Sequence, residues 1–168
     1  MNLSRLFVCL IVCASAFSGA FAGSLPSPQG KPILTISGNI QNTNVGETAQ
    51  FDRAALEALG LKTVETSNPW YDGKVRFEGV SLDQLMTLVG ARGKTVTAIA
   101  LNDYVTNIPL DDFKKFNAIL ALKRDGNYMA VRDKGPLFII YPYDSDSRLQ
   151  NQTYYTRSAW QVAKLIVE

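Results

Sequence analysis

Beyond Ala22 this chain contains neither cysteine nor histidine: Cys9 and Cys13 are its only thiols, and no imidazole occurs anywhere. The segment that follows must hold its fold by burial alone. It has no disulfide to restrict the unfolded chain and no thiolate or imidazole to bind a structural zinc. Gly23–Glu168 is long enough to do this as one domain. The same absence narrows the chemistry. No side chain here has an unperturbed pKa near neutrality, and neither a soft metal ligand nor a sulfur nucleophile is present. Catalysis would have to run on carboxylates, Lys, Arg, Tyr, Ser or Thr.

The first residues read as an export signal. Met1–Ser4 is short and polar, Arg5 supplies positive charge, Leu6–Val12 is an uninterrupted apolar run, and Ala20-Phe21-Ala22 has the small-x-small pattern of a cleavage site. We expect residues 1–22 to be a cleaved signal peptide, 23–31 a Pro/Gly/Ser linker and 32–168 the domain. The apolar core is short for a membrane anchor, so no membrane insertion of the mature chain is expected. Lipid attachment at Cys13 is disfavoured by the bulky Val12 before it. The bacterial periplasm is the expected destination. Loss of Arg5 from 17 basic residues leaves them almost balanced against 15 acidic ones. No basic block is longer than Lys114-Lys115 or Lys123-Arg124, which argues against nucleic acid and anionic membrane surfaces as partners.

Hydrophobic patterning predicts a strand-rich α+β domain. Pro32–Ser37 is β-branched and ends at Gly38, and Asn42–Gly46 reads as a turn. Asp52–Leu59 has the spacing of a short helix with Asp52 as N-cap, and a strand over Leu61–Thr66 follows. Ser81 and Gln84 have capping-box spacing, and Leu82, Leu85, Met86 and Val89 make an apolar face that stops at Gly90. Further strands are predicted over Thr95–Leu101, Tyr104–Ile108, Ala118–Lys123, Tyr128–Val131, Leu137–Tyr141 and Gln161–Val167. Asp125-Gly126 marks a tight hairpin turn. Asp111-Asp112 is placed at a helix start, where negative charge suits the dipole.

Three stretches, taken in order, resemble a known family. Phe77-Glu78-Gly79-Val80-Ser81-Leu82 leads into the capped helix. Asn102-Asp103-Tyr104 runs on to Ile108-Pro109-Leu110. Arg132-Asp133-Lys134-Gly135-Pro136-Leu137 then precedes Phe138–Pro142 and a closing segment that begins at Trp160. The succession, over Ile33–Glu168, resembles the oxidoreductase molybdopterin-binding domain, the fold of sulfite oxidase and of bacterial periplasmic methionine sulfoxide reductase. That resemblance implies a mixed-sheet α+β domain with short peripheral helices. It also implies a pterin-bound molybdenum held by a cysteine thiolate in the loop before the capped helix. Here that region, Thr63–Gly73, has no cysteine. Ser67 would be the stand-in oxygen ligand, a poorer donor whose proton stays on near neutral pH. The histidine and basic residues that hold the pterin phosphate in the family are missing too.

The remaining candidates form a cleft. Trp70 and Tyr71, beside Ser67 and Asn68, lie in a segment with no evident strand role; Asn102, Asp103 and Tyr104 follow, and Tyr141, Tyr143, Tyr154, Tyr155 and Trp160 come later. Aromatic side chains with a polar end bury area and still offer a hydrogen bond, which suits small-ligand or peptide recognition. The alternative is that Trp160, Tyr141 and Tyr128 are core or boundary strand residues. Arg132 and Lys134, with Arg148 and Arg157, are the candidates for phosphate, although no glycine-rich phosphate loop accompanies them. Asp144-Ser145-Asp146-Ser147 reads as a polar turn, with calcium as the alternative. Ser145, Ser147 and Ser158 have no histidine to act as base, so a hydrolase is not expected. The preferred expectation is a non-catalytic module without cofactor that binds a small molecule or a periplasmic or membrane protein in envelope signalling or redox. The alternative is a molybdopterin-dependent oxidoreductase without a cysteine ligand.

Overall fold

The computed structural model describes residues 25–168; the expected signal peptide lies outside the described residues. In chain order the elements are β1 (Leu34–Gly38), β2 (Ala49–Phe51), α1 (Arg53–Glu57), β3 (Lys62–Asn68), β4 (Tyr71–Ser81), α2 (Leu82–Leu88), β5 (Thr95–Ala100) and β6 (Val105–Pro109). They continue with α3 (Leu110–Phe116), β7 (Ile119–Arg124), β8 (Asn127–Tyr128), β9 (Phe138–Ile140), α4 (Gln152–Arg157) and β10 (Val162–Val167). The architecture is mixed α+β, strand-rich, with few and short helices.

Two sheets carry the fold. The first has the order β2-β1-β10-β5-β6, with β1 and β10 parallel and the other pairs antiparallel. Buried and partly exposed positions alternate in β5, the period of a sheet with one packed face. The second sheet runs β3-β4-β7, and β8 and β9 both pair with the far side of β7. Its centre is covered on both faces, which explains the unbroken apolar runs Ile119–Leu122 and Phe138–Ile140. Leu120, Leu122 and Ile139 join the large core shared with the first sheet. Their neighbours Ile119, Ala121, Phe138 and Ile140 join a smaller cluster with Val75, Phe77 and Met129 on the opposite face.

Local signals in the sequence act largely as the physics requires. Asp52 caps α1 by accepting the Ala55 N–H at 2.8 Å. Ser81 caps α2 by accepting the Gln84 N–H at 3.3 Å, but the box is only half made: the Gln84 amide donates to the Leu59 carbonyl at 2.9 Å instead of turning back. Asp111 and Asp112 occupy the first turn of α3, with Lys114 and Lys115 in the last. Asp125 and Gly126 both have positive φ, 48° and 79°, the signature of a type I′ hairpin turn between β7 and β8.

Several expectations are corrected. The strand expected over Tyr128–Val131 stops at Tyr128, and Val131–Asp133 forms a 3-10 turn ending in Lys134 at φ 64°. The segment Ser67–Gly73 is the tip of a long hairpin, not a loop: Asn68 ends β3 and Tyr71 starts β4. Neither β2 nor α4 was expected. The described part of the linker lies against the domain: the N–H groups of Gln29 and Gly30 donate to Asp52 Oδ2 at 2.8 and 2.6 Å, and Asn44 Nδ2 donates to the Pro26 carbonyl.

Gly79 sits at a register shift between β4 and β7, where an added Cβ would lie 2.2 Å from the Leu120 carbonyl oxygen. Gly79→Ala should cost about 3 kcal/mol or more by forcing the strands apart. Gly126→Ala meets nothing within 4 Å and pays only for its left-handed backbone, about 1 kcal/mol. Urea unfolding of the two variants should separate them in that order.

The three N–H groups on Asp52, that of Ala55 foremost, hold its carboxyl below the ordinary aspartate value. The ionised form is therefore favoured in the folded protein. Its contribution is intact above the unfolded value, about pH 4, and disappears as pH falls through the lower folded value. NMR titration should show the Gln29 and Gly30 amide resonances moving upfield in that acid range, and Asp52→Asn should remove the titration.

Candidate functional site

The hairpin tip between β3 and β4 is shaped by its own side chains. Asn68 Oδ1 accepts the Trp70 N–H at 3.1 Å, which closes the turn around Pro69. This throws the Trp70 indole into an aromatic lattice built from distant parts of the chain. Its ring centroid lies 5.1 Å from Phe138, 6.0 Å from Trp160, 6.1 Å from Tyr155 and 6.2 Å from Tyr143. All four are edge-on, the preferred arrangement for packed rings.

Two adjoining hollows flank this tip. One, of about 260 Å³, has aromatic walls of Trp70, Tyr104, Tyr155 and Trp160, with Pro69, Gln152, Thr156 and Ser158 completing it. Tyr104 is 40% exposed and parallel to Trp160 within 7°, their centroids 6.5 Å apart. Its hydroxyl donates to the Thr156 carbonyl at 2.8 Å, which ties the β5–β6 turn to α4. The second hollow, of about 410 Å³, shares Pro69 and Tyr155 and is lined further by Ser67, Asn68, Tyr143, Asp144 and Gln150.

The polar hollow is organised around Asp144. Its Oδ2 accepts from the Ser67 N–H at 3.0 Å and from the Ser67 hydroxyl at 3.2 Å, with Lys74 Nζ at 3.6 Å. These contacts, the Ser67 N–H first, hold the Asp144 carboxyl below its ordinary value. Thr66 returns the favour by accepting the Asp144 N–H at 3.0 Å. The hairpin tip is thus stitched to the segment that follows β9.

The structure sorts the expected site residues. Ser67, Asn68, Trp70, Tyr104 and Tyr143 line the two hollows. Tyr141 is fully buried, and its hydroxyl donates to Asp112 at 3.2 Å; burial pushes its pKa upward. Tyr143 is 1% exposed and donates to Ser158, whose own hydroxyl donates to the Tyr154 carbonyl. Tyr141 is core, whereas Tyr143 is buried but still lines the polar hollow; α4 covers both, Tyr141 meeting Tyr154 at 5.3 Å and Tyr143 meeting Tyr155 at 5.4 Å. Tyr71 faces the smaller cluster; its hydroxyl has no hydrogen-bond partner among the described residues, and burial raises its pKa. Asn102 and Asp103 shape the turn that presents Tyr104, Asn102 Oδ1 accepting the Tyr104 N–H and Asp103 taking φ 63°. Arg132 is exposed, and neither hollow includes it. Lys134 Nζ lies 5.1 Å from the Trp160 centroid and 5.5 Å from that of Tyr71. Tyr155 and Trp160, from the late aromatic group, also line the aromatic hollow, whereas Gln152 was not anticipated. Its helix has no apolar period, and its one signal is Asn151, which caps it by accepting the Thr153 N–H.

These residues do not fit the molybdenum–pterin group that the family resemblance implies. The hydroxyl at the thiolate position is committed to a carboxylate, which would place a second anion beside an anionic cofactor. Arg148 is bound to Asp146 and Arg157 to Asp112, at 2.5 and 2.7 Å. Asp144 and Asp146, the alternative calcium ligands, serve these separate partners. No group of three or more acidic, histidine or cysteine side chains is arranged to hold a metal among the described residues. Neither a scan against protein-family models nor a search of curated proteins finds a match for this chain.

Trp70→Ala should remove contacts to both hydrophobic clusters and cost about 3 kcal/mol in chemical unfolding. Tyr104→Ala, at an exposed wall, should cost less than about 1 kcal/mol. This order reverses the expectation for a tryptophan standing in a free loop.

Proposed function

We propose that this protein is an exported, non-catalytic binding module built on a fold like that of the sulfite oxidase molybdopterin-binding domain. In this reading it works in the periplasm, in an envelope signalling or redox system, and takes a small ligand or a partner protein in the cleft at the β3–β4 tip. The order of motifs supports the kinship. Gly79-Val80-Ser81-Leu82 carries β4 into α2, the Asn102–Pro109 stretch forms the β5–β6 turn and β6, Gly135-Pro136-Leu137 leads into β9, and Trp160 precedes β10.

The observation that carries the non-catalytic part is the hydrogen bond from the Ser67 hydroxyl to Asp144. A buried or half-buried cleft built for a soft, anionic metal cofactor needs a thiolate and cationic partners. This one offers a hydroxyl, a carboxylate paired with Lys74, and aromatic faces. Those groups suit binding without bond-making, since the carboxylate that accepts from the Ser67 hydroxyl is held below its ordinary value and makes a weak base. The absence of helices long and apolar enough to cross a membrane among the described residues fits a mature chain that is not inserted by such a helix.

Elemental analysis of protein exported and purified from a host that makes the pterin cofactor tests the reading. Molybdenum should be present far below one atom per chain, with the fold unchanged by growth without molybdate. Stoichiometric molybdenum, with turnover of a sulfoxide or sulfite, would establish the cofactor-bearing oxidoreductase instead.

A further inference from the structure

Another hollow, of about 450 Å³ and larger than either at the β3–β4 tip, lies between α1 and the segment that leads into β1. Its volume falls within the range of small-molecule sites, about 300–1,000 Å³. Leu25, Pro26 and Pro28 form one wall. That wall is pinned at both ends. The Leu25 N–H donates to the Thr43 carbonyl at 3.1 Å and Asn44 Nδ2 to the Pro26 carbonyl at 2.8 Å, while the Gln29 and Gly30 N–H groups donate to Asp52 Oδ2. The two prolines restrict the backbone between these fixings.

The opposite wall is Ala54, Ala55 and Ala58. Ala54 and Ala58 lie one helical turn apart and share a face, and their methyl groups are too short to fill the space in front of them. Leu59 and Leu88, both half-buried, contribute further apolar surface. Phe51, the aromatic residue of the lining, is 4% exposed and offers no open ring face for stacking.

Asp52 is the one charged residue in this lining, and both of its carboxylate oxygens are engaged. Oδ1 accepts the Ala55 N–H, and Oδ2 accepts those of Gln29 and Gly30. The Gln29 side-chain amide donates to the Ser27 carbonyl at 3.2 Å. A charged group entering here would lose its hydration and meet no free opposite charge. An aliphatic group would remove its own surface and that of the walls from water. The chain's own start has little to put there: with cleavage after Ala22, only Gly23 and Ser24 precede Leu25, and neither carries an apolar side chain.

Resting on the export reading, we propose that this hollow holds the aliphatic tail of an amphiphile, whose polar head stays in water at the mouth. It is a site separate from the cleft at the β3–β4 tip. Chain length sets the affinity, because each methylene that enters adds a similar increment, about fourfold in binding. Ala54 and Ala58 determine what fits, since a larger side chain at either position takes the place of the tail.

The test is a titration of the exported, processed protein with 1-butanol, 1-hexanol, 1-octanol and monomeric octyl glucoside, followed by NMR of the alanine and leucine methyl groups. Saturable shifts should appear at Ala54, Ala55, Ala58 and Leu59, with the Trp70 and Trp160 indole resonances unmoved. Octanol should bind about fifteenfold more tightly than hexanol. Octyl glucoside should bind within about threefold of octanol, its head being outside. Ala54→Phe and Ala58→Phe should each weaken octanol at least about tenfold with little change in the urea midpoint.

Affinity that does not rise with chain length overturns the proposal whether or not the variants fold. So does a folded Ala54→Phe that binds octanol like the parent, or shifts at the two indoles in place of the alanine methyls. Movement of the same methyl groups on raising protein concentration alone would assign the face to a second copy of the chain and overturn it too. Mass spectrometry of the purified protein checks the export reading separately: a chain that keeps residues before Gly23 overturns that reading, whatever the alcohols do.

Discussion

The indole of Trp70 is where the two hydrophobic clusters meet. It packs against Phe138 of the smaller cluster and against Tyr143 and Tyr155 at the edge of the larger one. The second sheet is covered on both faces, so its two coverings must be joined around an edge, and the hairpin tip is that edge. One ring therefore serves the packing of the domain and the wall of the cleft. Stability and recognition are coupled at this point: a change that loosens the tip reaches the core, and a ligand that fills the hollow presses on the joint.

Around that joint the polar groups are arranged to fasten the tip. Ser67 and Thr66 exchange hydrogen bonds with Asp144, and Tyr143 reaches Ser158 beneath α4. Each bond links segments separated in sequence, and Ser67, the stand-in ligand under the family resemblance, is among the groups they use. The carboxylate at Asp144 makes the region suited to holding its own backbone in place. Under the proposed function, a scaffold of this kind retains a shaped opening while its reactive equipment is replaced by structural bonds.

Elements whose signals are local could be read from the sequence. The α2 cap at Ser81, the dipole-matched ends of α3 and the Asp125-Gly126 turn depend on neighbours within a few residues, and all are present. The alternating strands of the first sheet were legible because one of their faces is exposed. Elements fixed by distant partners were not. β2 is three residues long and exists because β1 offers an edge. α4 has the sequence Gln152–Arg157, polar throughout apart from its tyrosines, and is held by the aromatic core it covers. Asn68-Pro69 reads as a loop because the partners of Trp70 lie roughly seventy to ninety residues further on, beyond the reach of any periodicity. A core position for Tyr141 was open to the sequence as a strand residue, but the burial of Tyr143 was hidden for the same reason, since the helix above it was unseen. Trp70, Tyr104, Tyr155 and Ser67 were found by chemistry, whereas Gln152 needed the fold.

The parallel pairing of β1 with β10 sets the order in which this polypeptide can become a protein. Thr35 lies beside Lys164, and β10 also supplies the partner for β5. Until Val162–Val167 emerges from the ribosome or a translocation pore, the first sheet exists only as two ribbons, β1–β2 and β5–β6, each marginal in water. Closure through such remote strands is slow compared with local structure, so the second sheet, whose strands all lie within residues 62–140, can assemble before the first is complete.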